Sequence, residues 1–297
     1  MAELTSVVVA GLVYGSILAT AGVGFTLQFG VTNYFNLAYG ELMTFGAMVT
    51  ASLNTGSVGW GIWPASAVGV SATVLLALFQ NRFIFTPLLN RRKSIFVTLL
   101  ATFAVAIMLD NIFILVWGTS FTQYTYSPGA GIHLFGAAIS IAEIVYFLIA
   151  VGCMAAIHQL LTRTKAGRSM RAMSDNTTLA SIAGLNTKRI TAVTWAITGF
   201  MGGIAGVLFA LQTHTFGVSL GVNYEYYVFV AVILGGIGQP FGALMGGLLI
   251  GLITQLAALA IPSGLSPVIA FAVLILVMLF RPQGLLGVPG RLNRLGL

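Results

Sequence analysis

Along the chain, apolar residues run on for about 20 positions at a time, broken by short polar or glycine-bearing stretches. Runs of that length match the roughly 20 residues that a helix needs to cross the hydrocarbon of a bilayer. The eight-residue alternation typical of membrane strands is absent, so the runs are helical. They predict spans at 6–29, 34–53, 62–81, 94–117, 139–161, 191–212, 224–238, 240–261 and 265–281. The expected fold is an all-α, polytopic transmembrane bundle of eight or nine spans. The count turns on 224–238, which is short for a crossing at about 1.5 Å per residue. It is followed by "GGIGQPFGALMGG", where glycines and Pro240 interrupt the pattern, so a broken or re-entrant helix is the alternative there.

Composition agrees: 58% of the 297 residues are hydrophobic, 6% are charged and 36 are glycine, and the mean hydropathy is +1.00. These values lie outside the soluble globular range and give one transmembrane domain over 1–297. Charge adds orientation. The thirteen lysines and arginines fall in three segments only, four between Arg82 and Lys93, six between Arg163 and Arg189 and three between Arg281 and Arg294. Basic loops stay in the cytoplasm, so these loops, including one at about 162–190, and the C-terminal segment are expected inside a plasma (inner) membrane. Full crossing of 224–238 keeps the parity between them. The first residues, "MAELTS", lack a basic n-region, so the first span is expected to be retained with its N-terminus outside. The net charge of +7 is thereby topological, and nucleic acid is not an expected partner; membrane lipid is. The single Cys153 sits in an apolar span and reads as a packing residue.

Several chemistries are disfavoured by context. Gly217, Ser219 and Gly221 match G-x-S-x-G near His214, but the motif stands in a short loop between predicted spans rather than a strand-turn-helix. His133, His158 and His214 are far apart and have no ligand at metal spacing. No lysine follows a glycine, so a phosphate-binding G-x-x-x-x-G-K-[ST] loop is absent and any ATP is used by another subunit. The chain itself is read as a non-enzyme without catalytic residues, metal or cofactor.

Charge inside a span costs roughly 2.5 to 3.5 kcal/mol and needs a reason. Glu41 lies in "NYFNLAYGELMTFGA" beside Asn33 and Asn36, and Asp110 precedes Asn111 in "AIMLDNIFILVWG". These five residues are candidates for lining a translocation path; the alternatives are hydrogen bonding between helices or hydration near an interface. Glu143 opens its span and reads as interfacial. Small residues recur four apart, at Gly11/Gly15, Gly199/Gly203, Gly202/Gly206, Gly242/Gly246 and Gly247/Gly251, which lets helix backbones approach closely. "YGELM" (39–43) and "FGALM" (241–245) are the one hint of an internal repeat.

The loop "TKAGRSMRAMSDNTTLASIAGLNTKR" (164–189) has more order than topology requires. Ser174 or Asp175 can N-cap a short helix over "NTTLASIA", and Gly184 suits the left-handed position after its end, with Leu185 as the following hydrophobic contact. Leu179, Ile182 and Ala183 share one face, leaving Thr177, Thr178 and Ser181 on the others. Flanked by Arg168, Arg171, Lys188 and Arg189, such a helix fits a groove on a partner or lies on the membrane surface with snorkelling arginines.

This loop and the span after it (164–210) resemble the cytoplasmic loop of ABC-importer permeases of the branched-chain amino acid (Liv) type, which runs T-x-x-G-R-x-x-R-A, then a short alanine-bearing helix ending in G-[IL]-[ND]. "NYFNLAYGELMTFGA" (33–47), "GGIGQPFGALMGGLLIG" (235–251) and "RPQGLLG" (281–287) support the resemblance, and "LATFAVAIMLDNIFILVWG" looks like the shorter of the two permeases that pair in such importers. The resemblance implies half of a translocation pathway for branched-chain or other hydrophobic amino acids. Its partners would be a second permease, two cytoplasmic ABC ATPases and an extracytoplasmic substrate-binding protein. The coupling helix would be Asp175 to Ala183, and the coupling loop would include Gly167, Arg168, Arg171, Asp175, Leu179, Ala180, Ile182 and Gly184. The loop departs from the Glu-Ala-Ala motif of many ABC permeases, since Leu179 and Ala180 precede Ser181 and no proline closes it. Urea- or short-amide-carrying relatives are an alternative, as is a stand-alone secondary transporter or channel in which Glu41 or Asp110 carries protons or an ion.

Overall fold

The computed structural model describes residues 2–56, 59–90, 95–126, 131–134, 137–260 and 262–287. Arg91, Arg92, Lys93, Arg291 and Arg294 of the basic segments lie outside these residues. The helices are α1 (Ala2–Thr32), α2 (Tyr39–Asn54), α3 (Ile62–Phe79), α4 (Thr86–Asn90), α5 (Ile95–Trp117), α6 (Ile141–Arg163), α7 (Lys165–Asp175), α8 (Thr177–Ile182), α9 (Thr187–Thr213), α10 (Leu220–Gly235), α11 (Pro240–Ala257) and α12 (Ser266–Phe280). A π-helical turn, Gln80–Phe85, joins α3 to α4.

Six helical stretches are long and apolar enough to cross a membrane: Leu4–Thr32, Ile62–Leu88, Phe96–Trp117, Ile141–Arg163, Thr187–Thr213 and Pro240–Ala257. The chain is a multi-pass, largely helical membrane protein. Leu220–Gly235 and Ser266–Phe280 are shorter apolar helices, and α2 has 16 residues, about 24 Å of helix.

Two expectations change. The span at 34–53 starts as a helix only at Tyr39, because 33–38 is not helical. Asn33 adopts φ +56° after the end of α1, and the Asn36 Oδ1 accepts the Ala38 N–H two residues on, so both asparagines act as turn residues. The described chain also contains a hairpin, β1 (Gly131–Leu134) with β2 (Ala137–Ser140), paired antiparallel from Gly131↔Ser140 to Leu134↔Ala137. It leads into α6 through a capping box: the Ser140 Oγ accepts the Ala142 N–H and the Glu143 carboxylate accepts the Ser140 N–H at 3.0 Å.

The chain divides into two compact units, unit 1 over 1–26, 127–154 and 226–297 and unit 2 over 27–126 and 155–225. In unit 1 the first part of α1, the last part of α10 and α11 meet through glycine. A Cβ on Gly15 would stand 2.9 Å from the Leu248 Cα, and one on Gly251 would collide with Gly15. The Gly235 and Gly242 backbones cross in the same way, as do those of Gly246 and Ala231. The Gly238 N–H donates to Thr26 Oγ1 at 2.9 Å. Leu285 and Leu286 donate to the carbonyls of Leu234 and Gly235, which brings "RPQGLLG" against the end of α10.

Unit 2 centres on α2, α3 and α9. Gly46 packs against Gly203 and Thr73, Gly199 against Thr73 and Val74, and Gly206 against the Met43 carbonyl. Phe113 of α5 stacks on Phe45 at 5.6 Å, and the Trp117 Nε1–H donates to Ser52 Oγ. The segment after α5 is fastened to α2 by Tyr124, whose hydroxyl donates to the Ala47 carbonyl at 2.9 Å, and by the Thr125 N–H, which donates to Asn54 Oδ1. The spaced glycines are therefore packing positions in both units, as their periodicity predicts.

Candidate functional site

Two parts of unit 2 hold the residues singled out from the sequence. The first is the loop after α6. Thr164 N-caps α7 by accepting the Gly167 N–H at 3.0 Å. Gly167 itself is buried against the backbone of Leu160 and Leu161, where any side chain would collide, so α7 folds back tightly on the end of α6. Met170 and Met173 bury the inner face of α7, while Arg168 and Arg171 stand exposed.

α8 follows after a single residue. Its N-cap is Asn176, whose Oδ1 accepts the Leu179 N–H at 3.0 Å, rather than Ser174 or Asp175. Asp175 is instead the last residue of α7 and is exposed. The sequence offers three adjacent capping residues, and the one with extended backbone, φ −160° and ψ 104°, takes the role. At the other end Gly184 has φ +82°; its N–H donates to the Ser181 carbonyl and that of Leu185 to Ala180, the two bonds of a Schellman motif. Between these caps Ala180 is 4% exposed, whereas Leu179 and Ile182 are 63% and 76% exposed. A six-residue helix fixed at both ends thus holds two large apolar side chains outward.

The second part is internal. Glu41 lies in the first turn of α2 and is 2% exposed; its Oε2 has no hydrogen-bond partner among the described residues. Asp110, half-buried on α5, is near enough for its charge to act on Glu41. Asn36 is buried and donates to Gln28 Oε1 at 3.3 Å. Asn33 and Asn111 are exposed, and Asn111 Nδ2 donates to the Ile107 carbonyl of its own helix. The five candidates therefore separate: Glu41 is buried within range of the Asp110 charge, Asn36 braces the approach to α2, and Asn33 and Asn111 face outward.

The sequence reading missed Glu225. It is 8% exposed at the start of α10, and its carboxylate accepts the backbone N–H groups of Tyr39 and Gly40, capping α2 from another helix. The orphan donors and positive dipole end of a helix favour a carboxylate there. Two glycines permit the approach: a Cβ on Gly40 would stand 2.8 Å from Glu225 Oε2, and one on Gly221 would collide with the Gly40 carbonyl. Thr44 Oγ1 then accepts the Gly221 N–H at 2.9 Å. Glu225 Oε1 has no partner among the described residues, and the Glu41 charge acts on it. The available signal was a charge at membrane depth, beside the "GVNY" that follows the last loop.

Further polar groups are buried close by in unit 2. Tyr34 is 5.7 Å from Phe85, which stacks on Trp195 at 5.0 Å. The Tyr34 hydroxyl faces Gln28 and the Trp195 indole without reaching hydrogen-bond geometry with either. Both amide atoms of Gln80, in the π-helical turn, are likewise unpartnered among the described residues. Helical π turns concentrate at functional sites.

Comparison with known proteins matches residues 7–278 to the family model described as the branched-chain amino acid transport system / permease component. The chain is 28% identical to the high-affinity branched-chain amino acid transport system permease protein LivH of Salmonella typhimurium, covering 94% of each chain. It is 29% identical to BraD of Pseudomonas aeruginosa, described in the same words, again over 94% of each chain, and 28% identical to LivH of Escherichia coli over the same shares. A capped helix with an outward apolar tip and carboxylates buried between membrane helices are thus carried by a chain that belongs to the family of branched-chain amino acid transport permease components.

Proposed function

We propose that the chain is the permease subunit of an ABC importer and forms half of a translocation pathway for branched-chain or other hydrophobic amino acids. It works with a second permease, two cytoplasmic ATPases and an extracytoplasmic binding protein, and it needs no cofactor of its own. Eight or nine crossings, counting the shorter helices α2, α10 and α12, set it in the inner membrane with the 162–190 loop inside.

The observation that carries this reading is α8. Burying a Leu or Ile side chain is worth roughly 1.5 to 3 kcal/mol, and a helix held by caps at both ends keeps two of them exposed beside Arg168 and Arg171. That arrangement suits a helix that seats in a groove on an ATPase. Gly167 ties α7 to α6, and α8 runs through Gly184 directly into α9, so a displacement of α8 is delivered to two long helices rather than absorbed in a slack loop. ATP-driven closure of the ATPases would pull this handle and shift the bundle between two packed arrangements.

The test is reconstitution. The chain in liposomes with its partner permease, ATPases and binding protein should take up radiolabelled leucine only with ATP. Uptake by the isolated chain driven by an ion gradient would replace the importer with a secondary transporter, and uptake of urea in place of leucine would move the cargo to short amides.

A further inference from the structure

Two buried carboxylates of unit 2, Glu41 and Glu225, each keep an oxygen with no hydrogen-bond partner among the described residues. The charges acting on them are themselves negative: Asp110 acts on Glu41, and Glu41 acts on Glu225. Every lysine and arginine of the chain belongs to the segments 82–93, 163–189 and 281–294, so none lies in α2, α5 or α10. Leaving a buried charge without a partner costs several kcal/mol, so acidic groups gathered without a basic residue are compensated either by protons or by a cation that the chain does not itself supply.

The site is also built. Glu225 is fixed by its bonds to the Tyr39 and Gly40 N–H groups, so Oε2 is committed and Oε1 is free to accept. Gly40 and Gly221 hold α2 and α10 at the contact distance this needs, and the Thr44 to Gly221 bond locks them. Glu41 follows Gly40 on α2, on a helix whose opposite end is fastened through Asn54 and Ser52. The free oxygens therefore stand on rigid elements.

We infer that Glu41 and Glu225 form a station for the ammonium group of the transported amino acid, with Asp110 adding negative potential. An alkylammonium carries three directed donors and is satisfied by two or three acceptor oxygens. A hard metal cation needs six or more oxygens, and no three His, Cys, Asp or Glu side chains among the described residues come together to hold one. The station rests on the amino-acid reading above and narrows it: an ammonium can take the place of the protons on the two carboxyls, whereas cargo lacking a positive nitrogen, such as a hydroxy acid or an amide, has no charge to offer them. Specificity would then be imposed twice, by the binding protein and again within the membrane.

The test measures binding of L-leucine and of (S)-2-hydroxy-4-methylpentanoate, the same molecule with hydroxyl in place of ammonium, to the full chain purified with its co-purifying subunits and without the binding protein. The native chain should bind leucine at least tenfold more tightly than the hydroxy acid. Glu41→Gln and Glu225→Gln should each weaken leucine at least tenfold while changing the hydroxy acid less than twofold. Asp110→Asn should have a smaller effect in the same direction. Should Glu225→Gln unfold by loss of its cap, Glu41→Gln and Asp110→Asn decide the matter. Equal affinity for both compounds, an unchanged ratio in the variants, absence of binding, or rescue of the variants by sodium or potassium would overturn the station. ATP-driven leucine uptake by the complete system alongside such a result leaves the importer standing, whereas loss of that uptake in the native system removes the importer instead.

Discussion

Unit 1 and unit 2 are built from the same helical material but differ in what they bury. Among the described residues, unit 1 buries the polar groups of Ser16, Thr20, Thr26 and Thr254 and the Tyr146 phenol. Ser16, Thr20 and Thr254 return their hydroxyls to carbonyls of their own helix, and Thr26 accepts from Gly238. Among the described residues, unit 2 buries Gln28, Asn36, Glu41, Asn54, Gln80, Asn81 and Glu225 as well as threonines, and atoms of four of these, Gln28, Glu41, Gln80 and Glu225, have no hydrogen-bond partner there. A hydroxyl closed on its own helix is a cheap way to be polar in a membrane, whereas an amide or carboxylate with free valence is expensive. Unit 1 is therefore optimised for packing. Unit 2 carries the polar groups that a solute could use.

The largest test of this contrast is steric. Gly251→Leu in unit 1 should abolish folded, monodisperse protein, because its side chain meets the Gly15 backbone. Overpacking costs about 1 to 3 kcal/mol even where side chains can yield, and backbone cannot. Size-exclusion chromatography of the expressed variant reads this directly. Next comes a change that should spare folding: Ile182→Glu on α8 should cut ATPase co-purification at least tenfold while leaving the melting temperature within a degree or two, since Ile182 is 76% exposed. Loss of both together would mean that Ile182 serves the chain's own packing.

A third substitution separates the units by sign. Replacing Gln80 by Leu removes two unpartnered amide atoms from unit 2 and should stabilise the chain by about 1 kcal/mol while lowering leucine uptake. Thr20→Val in unit 1 should alter neither by a measurable amount, because that hydroxyl is bonded only to the Ser16 carbonyl of its own helix. Parallel thermal melts and uptake assays of the two variants make the comparison, and equal behaviour would erase the distinction drawn between the units. The smallest effect belongs to Asn176→Ala, which loses one cap at a cost of about 1 kcal/mol, seen as faster amide exchange confined to α8.

What the sequence revealed follows the range of the forces involved. The long helices α5, α6, α9 and α11 are legible because sustained hydrophobicity over 18 to 27 residues marks a helix long and apolar enough to cross a bilayer, whichever face it packs. The Schellman turn is legible because Gly184 is a local solution to a local need. The late start of α2 was missed because Asn33 and Asn36 sit between apolar neighbours, where a hydropathy window averages out two turn residues. Asn176 was passed over as the cap because Ser174, Asp175 and Asn176 are nearly equivalent in preference, and only the backbone conformation of the folded chain selects Asn176. Glu225 was hidden for a different reason. Its partners, Tyr39 and Gly40, are some 185 positions away in sequence, and no pattern within one helix announces that another helix needs its donors covered.

The bonds from Leu285 and Leu286 to the carbonyls of Leu234 and Gly235 also bear on when the molecule can be finished. The end of α10 is a helix terminus whose acceptors wait for residues made some 50 positions later, and the glycines of α11 close on a first helix made more than 200 positions earlier. Unit 2 contains nothing beyond residue 225. During synthesis its contacts can therefore form while the ribosome is still working, with unit 1 held open until its last strand of chain arrives. The part of the protein with the most polar interior is assembled first, and the part with the tightest backbone crossings is closed last.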